Sequence, residues 1–153
     1  MATCGDIMTK NPTWCLATDP VSKAAQLMKQ EELGLLPVVE DQQHKEVIGV
    51  VTDRDLVVQV IAEGRVPEAT PVADAMTPAP VTCLASDDVE EVVCVMADHQ
   101  IRRVPVVDEE GALVGIIAQA DVALRVDHPG KTSELVKRIS NPTPVHPSMA
   151  LMK

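Results

Sequence analysis

The chain has 153 residues, a formal net charge of −10 and 46% hydrophobic residues, yet it has no Phe or Tyr and a single Trp. This acidic balance opposes the phosphates of nucleic acids, and no apolar run approaches the roughly 20 residues of a membrane helix. The start of the chain has no basic stretch followed by an apolar one, and the four cysteines lack metal-type spacing. We therefore expect a cytoplasmic protein with one core and no metal site, which binds neither nucleic acid nor membranes.

The sequence contains an internal repeat. Residues Asp6 to Val39 align without a gap on Asp74 to Val107, with 13 of 34 positions identical, and the match resumes after a shorter hairpin. Two copies of about 60 residues predict one pseudo-symmetric module. The predicted ranges are 1–68 for copy one with an N-terminal segment and linker, 69–127 for copy two, and 128–153 for a short helix and a flexible tail.

Each copy is expected to begin with a short turn and a proline, Pro12 or Pro80, which opens a brief strand. A helix follows, because capping residues precede apolar positions that recur at i, i+3, i+4 and i+7. These positions are Val21, Ala24, Ala25 and Met28 in copy one, and Val89, Val92, Val93 and Met96 in copy two.

Two apolar strands and a second helix complete each copy. The strands are LLPVV and EVIGVV in copy one, and RVPVV and ALVGII in copy two. Such continuous apolar runs are typical of strands covered on both faces. The second helices are predicted at Arg54 to Glu63 and Ala120 to Val126. The predicted fold class is α/β, with the order strand, helix, strand, strand, helix in each of two pseudo-symmetric repeats.

Three short motifs accompany this order: D-x-M-T before the first strand, Pro-Val-Val on the second strand, and Gly-x-x-Thr-x-x-Asp before the last helix of copy one. The pattern resembles the CBS domain family, here as a stand-alone tandem pair, the Bateman module. The resemblance implies two repeats packed through their sheets, a regulatory sensor that binds an adenosine compound such as AMP, ADP, ATP or NAD, and association into a homodimer. The residues do not distinguish among these ligands.

The two copies differ at the start of the second helix, where copy one has Thr52 and Asp55 and copy two has Ala118 and Asp121. The resemblance implies that this hydroxyl and carboxylate hold the ribose hydroxyls and the phosphate end of the ligand. A helix that begins there would add free backbone donors for an anion. A Thr-x-x-acid capping box explains the same two residues without a ligand. Asp121, an acid kept without its hydroxyl, argues against capping as the whole explanation.

The copies also differ before the second strand, where Arg102 and Arg103 replace Gly34 and Leu35. The resemblance implies that these arginines reach the phosphates of the nucleotide whose ribose copy one holds; the alternative is a pair of solvated surface cations. The predicted nucleotide site comprises Val50, Thr52, Arg54, Asp55, Val81, Thr82, Arg102 and Arg103. A second cleft, with Asp121, Thr13 and Trp14, is expected to be weaker: empty, filled by Trp14 or occupied by a less charged ligand.

Two other functions compete with a ligand sensor. A ligand-free structural or protein-interaction module would keep the fold without the site. An enzyme is disfavoured, because the histidines are scattered and no nucleophile or phosphate-loop motif is present. The second helices carry more apolar residues than solvated helices need, so we expect them at a homodimer interface, with the regulated partner protein unknown. These residues are Leu56, Val57, Val60, Ile61, Val122, Ala123, Leu124 and Val126.

Overall fold

A computed structural model describes residues 2–125 of the chain. The helices are α1 (Cys4–Ile7), α2 (Val21–Glu31), α3 (Asp53–Leu56), α4 (Val89–His99) and α5 (Gln119–Arg125). The strands are β1 (Thr9–Lys10), β2 (Cys15–Leu16), β3 (Leu35–Val39), β4 (Val47–Thr52), β5 (Thr77–Pro78), β6 (Cys83–Leu84), β7 (Arg103–Val107) and β8 (Leu113–Ala118). The predicted end of the last helix at Val126 and the predicted short helix and tail at 128–153 lie outside the described residues.

The predicted order of elements is confirmed in both copies, as β2, α2, β3, β4, α3 and as β6, α4, β7, β8, α5. The α/β fold class is confirmed as well. Two four-stranded sheets form, in the orders β2-β3-β4-β5 and β1-β8-β7-β6. The first strand of each copy runs parallel to the second, whereas β3 and β4 are antiparallel.

The chain folds into two compact units that are not continuous in sequence. The copy-one unit contains Thr13–Pro80 and Gly111–Leu113. Among the described residues, the copy-two unit contains 2–12, Val81–Glu110 and 114–125. The opening segment of each repeat therefore packs in the unit of the other repeat. The predicted ranges divide the chain by sequence repeat rather than by packing, and they stay a prediction.

The exchanged segments are edge strands. In the copy-two unit, β1 pairs antiparallel with β8, and Thr9 lies opposite Ile116. In the copy-one unit, β5 pairs in the same way with β4, and Thr77 lies opposite Val50. A Cβ atom on Gly49 would come within 2.7 Å of the Met76 Sδ, so the absence of a side chain there permits the close approach of the edge segment.

Each unit has its own aliphatic core, so the expectation of one core is wrong. The residues that share the copy-one core are Cys15, Val21, Ala24, Met28, Leu36, Val38, Val51, Val60, Val72 and Ala75. The equivalent cluster in copy two includes Cys4, Cys83, Val89, Val92, Met96, Val104, Val106, Ile117 and Val122. The predicted buried stripe of α2 is correct for Val21, Ala24 and Met28 but wrong for Ala25, which is exposed. The helix buries a narrower face than the apolar spacing indicates.

The second helix of copy one changes its winding after one turn. α3 continues into a π-helical turn at Val57–Ile61, in which the Ala62 amide donates to the Val57 carbonyl at 2.8 Å. The widened turn points Val60 into the core and leaves Val57 and Ile61 exposed. Within residues 2–125, no helix is long and apolar enough to cross a membrane.

Candidate functional site

Thr52 and Asp55 form a complete capping box where β4 ends and α3 begins. The Asp55 amide donates to Thr52 Oγ1 at 3.0 Å, and the Thr52 amide donates to Asp55 Oδ2 at 2.9 Å. Both side chains are buried, at 4% and 5% exposure. The alternative explanation, that Thr52 and Asp55 form a helix capping box, is therefore correct.

The first amides of α3 all have acceptors. The Asp53 amide donates to the Gly34 carbonyl at 3.0 Å, and the Arg54 amide donates to Asp53 Oδ1 at 2.8 Å. The next amide, of Asp55, is taken by Thr52. The expectation of free backbone donors for an anion is therefore wrong at this helix start. An anion near this point must be bound by side chains instead.

The capping box still leaves polar atoms for a ligand. Among the described residues, Asp55 Oδ1 accepts no hydrogen bond, and the Thr52 hydroxyl accepts one but donates none. Burial raises the pKa of the Asp55 carboxyl, against the lowering effect of its hydrogen bonds with Thr52. A diol that donates to Oδ1 would compensate this desolvation, because it supplies donors to a carboxylate that burial has deprived of water.

Copy two keeps half of the same cap. The Ala118 amide donates to Asp121 Oδ2 at 2.8 Å, as the Thr52 amide does to Asp55. The acid thus serves as a cap without a hydroxyl partner. The argument from Asp121 against capping is therefore wrong, because a carboxylate three residues into the helix satisfies the leading amide by itself.

Arg102 and Arg103 lie exposed at the start of β7 in the copy-two unit. The Arg102 carbonyl accepts from the Gln119 amide at 2.8 Å, which ties this segment to the start of α5. The Gly34 carbonyl and the Asp53 amide make the same link in copy one. Within each unit, the residues before the second strand therefore lie beside the start of the second helix.

The other predicted site residues are divided between the units. Val50 is buried on β4 and Arg54 is exposed on α3, both in the copy-one unit with the capping box. Val81 and Thr82 are half-buried immediately before β6 in the copy-two unit. Four of the eight predicted residues are thus gathered around the β4–α3 junction, and the other four belong to the second unit.

Thr13 and Trp14 are half-buried in the copy-one unit, just before β2. The Lys45 ammonium lies over the Trp14 ring, 5.7 Å from its centroid. Such a contact contributes on the order of 0.5–1 kcal/mol at an exposed position and engages one face of the indole. Lys45 was not a predicted neighbour of Trp14, because 31 positions separate them and no local pattern connects them.

Asp53 is a residue that the sequence reasoning missed. A Cβ atom on Gly34 would lie 3.3 Å from Asp53 Oδ2, so this exposed carboxylate stands where copy two has Arg102. The sequence signal that could have identified Asp53 was its position between the predicted site residues Thr52 and Asp55. The copy-one unit therefore has acidic side chains at this end, whereas the equivalent end of the copy-two unit has two arginines.

Within residues 2–125, no cluster of three or more His, Cys, Asp or Glu side chains could hold a metal ion.

Comparison with known proteins identifies the repeat. The CBS domain model matches residues 4–61 and 72–128. YlbB of Bacillus subtilis is 40% identical over 119 residues, covering 78% of each chain. Hypoxic Response Protein I, crystallised with two coordinated zinc ions, matches with a TM-score of 0.75 and 33% identity, covering 82% of this chain and 99% of its own. CBSX2 in complex with AMP matches with a TM-score of 0.72 and 29% identity, covering 84% and 100%. The chain belongs to the CBS domain family, as a tandem pair of CBS domains.

Proposed function

We propose that the protein is a regulatory sensor that binds an adenosine-containing ligand, AMP, ADP, ATP or NAD, and signals to a partner protein. The observation that carries the proposal is the buried Asp55 carboxylate, whose Oδ1 oxygen and neighbouring Thr52 hydroxyl remain available for a ribose diol. The similar chain CBSX2, at 29% identity, was crystallised with AMP. In this proposal the protein has no catalytic residues and remains in the cytoplasm.

The residues have separate roles in the proposed site. Asp55 and Thr52 bind the ribose hydroxyls, while aliphatic Val50 and Val81 contact the base. Arg102 and Arg103 bind the phosphates, with Arg54 and Thr82 as further contacts. The case for the arginines is stronger because the amides at the start of α3 are already occupied, which leaves guanidinium groups to compensate the anionic charge.

The proposed site is asymmetric. The site of Asp121 lacks the hydroxyl, because position 118 is an alanine. It also lacks the arginines, because copy one has Gly34 and Leu35 at the positions equivalent to Arg102 and Arg103. We infer that a second site with Asp121, Thr13 and Trp14 binds a nucleotide weakly or not at all. The Lys45 contact on the Trp14 ring supports this, because a base that stacked on that face would have to displace the ammonium.

Isothermal titration of the full chain with AMP tests the site. Asp55→Ala should weaken binding about 10-fold or more, because it removes charge-assisted hydrogen bonds worth roughly 1.5–3 kcal/mol. Asp121→Ala is the matched control, since it loses the equivalent cap hydrogen bond and should change affinity less than about 3-fold. Equal losses for the two variants would contradict the asymmetric site.

Adenosine and AMP together test the arginines. Arg102→Gln with Arg103→Gln should weaken AMP binding while leaving adenosine binding unchanged, because only AMP carries a phosphate. The competing arrangement, in which Arg102 serves the neighbouring α5 start, predicts that Asp121→Ala and the arginine variant reduce affinity together. That result would move the ligand to the copy-two end.

A ligand-free interaction module is the second candidate. The complete capping box supports it, because Thr52 and Asp55 already have structural roles. A thermal melt separates the two functions: a bound nucleotide raises the midpoint, whereas no shift with AMP, ATP or NAD at millimolar concentration favours the interaction module.

We also propose a homodimer through the second helices. Val57 and Ile61 in the copy-one unit are 57% and 61% exposed, and Leu124 in the copy-two unit is 84% exposed. Val60 and Val122 are buried in their own units and are unavailable to a partner. Sedimentation of the Ile61→Glu variant should show a smaller species than the parent chain; an unchanged sedimentation coefficient would rule out this interface.

A further inference from the structure

Two buried cysteines share one core in the copy-two unit. Cys4 lies on α1 and Cys83 on β6, 79 positions apart, and both belong to one core cluster. The backbone joins the two segments, because the Cys4 amide donates to the Asp87 carbonyl at 2.8 Å and the Gly5 amide donates to the Ala85 carbonyl at 2.9 Å. The Cys4 thiol itself donates to the Asp88 carbonyl at 3.9 Å. The unit therefore buries two thiols on neighbouring elements of one core.

The copy-one unit has no such pair at the equivalent place. The repeat offset of 68 positions aligns Cys83 with Cys15 and Cys4 with Val72. Cys15 and Val72 are buried in the same cluster, so the packing is retained with only one thiol. Burial raises the pKa of Cys15 to about 12, as expected for a solitary buried thiol. The second sulfur is thus particular to copy two and is not required by the fold.

The two thiols are chemically unequal. The neighbouring Cys83 thiol lowers the pKa of Cys4, against the opposing effects of burial and of Asp87, Glu91 and Asp88. The neighbouring Cys4 thiol and burial raise the pKa of Cys83. Cys4 is therefore the more readily ionised of the two thiols, and ionisation is what makes a cysteine nucleophilic.

We propose that Cys4 and Cys83 are a peroxide-reactive dithiol site that closes to a disulfide. Cys4 releases its proton and its sulfur attacks one oxygen of hydrogen peroxide. The O–O bond breaks, and the departing hydroxide takes up that proton, so one water leaves as Cys4 becomes a sulfenic acid. The Cys83 sulfur then attacks the Cys4 sulfur, the S–O bond breaks, and a second water leaves with the Cys83 proton. Two thiols and one peroxide thus yield one disulfide and two waters. Peroxide is close to water in size, so local opening of the four-residue helix α1 admits it.

The disulfide would link the N-terminal segment covalently to the unit that it completes. β1, which follows α1, pairs with β8 at Ile116 and Gly115, so the link holds an edge strand as well as a helix. Because the bond closes a loop of many residues, oxidation should raise the melting midpoint of the chain by about 5 °C or more.

Peptide mapping without reductant tests the proposal on the full chain. The Cys94→Ser background is used throughout, because Cys94 is exposed and could form disulfides between molecules. After treatment with hydrogen peroxide, we expect a cross-linked peptide pair that contains Cys4 and Cys83, lost again with reductant. Sulfenic or sulfinic acid at Cys4 without the link, or no oxidation at either residue, would overturn the proposal.

Matched variants give the assay its controls. Cys4→Val copies the residue that copy one has at this position and should abolish the link, whereas Cys15→Ala should leave it intact. Val72→Cys places a second thiol opposite Cys15 and should create a new link in the copy-one unit. If Val72→Cys links and the native pair does not, the native geometry is unsuitable and the proposal is wrong. The native-pair measurement needs no variant at Cys4 or Cys83, so it stands even where a variant folds poorly.

Discussion

Asp55 has a structural role as a helix cap and, in the proposed function, a second role in binding the ribose. Its Oδ2 oxygen accepts from the leading amide of α3, and burial raises its pKa. The folded state therefore holds the Asp55 proton more tightly than the unfolded state does. The contribution of Asp55 to stability is fully present below the unfolded pKa, near the usual value of 3.8, and is lost as the pH rises through the raised folded pKa.

This linkage predicts a pH-dependent effect of Asp55→Asn. The asparagine oxygen keeps the cap but cannot ionise, so the parent chain should lose stability relative to the variant as the pH rises from about 4 toward neutrality. Urea unfolding of both proteins across this range measures the difference. A constant difference, or one of the opposite sign, would contradict the raised pKa. In the same range adenosine affinity should fall on acidification in the parent chain alone, because protonation of Asp55 removes the charged acceptor for the ribose diol and adenosine has no phosphate to titrate.

At the scale of elements, the second helices of the two copies begin in different ways. α3 begins with a reciprocal box of Thr52 and Asp55, whereas α5 begins with Asp121 and no hydroxyl. α3 then widens into the π-helical turn. Just after this turn, the Arg65 amide donates to the Val60 carbonyl at 2.9 Å. One repeat sequence thus produces two helix starts, and only the start in copy one has a hydroxyl left to donate.

The difference predicts that Ala118→Thr stabilises the protein. The new hydroxyl can accept from the Asp121 amide and complete the box, a gain of about 0.5–1 kcal/mol. Thr52→Ala is the matched loss and should destabilise by a similar amount. Thermal unfolding of both variants measures the two effects. A neutral Thr52→Ala variant would show that the hydroxyl does not stabilise α3, and would strengthen its assignment to the ligand.

At the scale of the whole molecule, each unit depends on a segment from outside its own repeat. α1 buries Cys4 and Ile7 in the copy-two core, and β1 adds the fourth strand to that sheet. In the copy-one unit, Val72 and β5 do the same from the start of copy two. Each unit is therefore completed by the opening segment of the other repeat.

Removal of residues 1–10 should destabilise the copy-two unit selectively. The deletion loses two buried side chains and the β1–β8 hydrogen bonds, at a cost of about 3–5 kcal/mol. Hydrogen exchange should show lost protection in β7 and β8 while β3 and β4 keep theirs. Equal loss in both units would mean that the N-terminal segment supports the molecule as a whole.

The sequence by itself determined the repeat, the order of elements and the Thr52–Asp55 box. Each of these depends on short-range patterns: apolar periodicity chooses helix or strand, and a capping box joins residues only three positions apart. For the same reason the asymmetry of Arg102 and Arg103 against Gly34 and Leu35 was visible in the alignment of the copies.

Only the tertiary structure decided which atoms of that site are occupied. The Gly34 carbonyl accepts from the Asp53 amide, 19 positions away, and the edge segments exchange between units. Cys4 lies in the same core as Cys83, 79 positions away. These contacts depend on how strands pair and which faces are buried, and such long-range pairing has no signature in a short window of sequence. The repeat thus predicted a nucleotide site and its position, while packing occupied the first amides of α3, so in the proposed site the phosphate contacts fall to side chains.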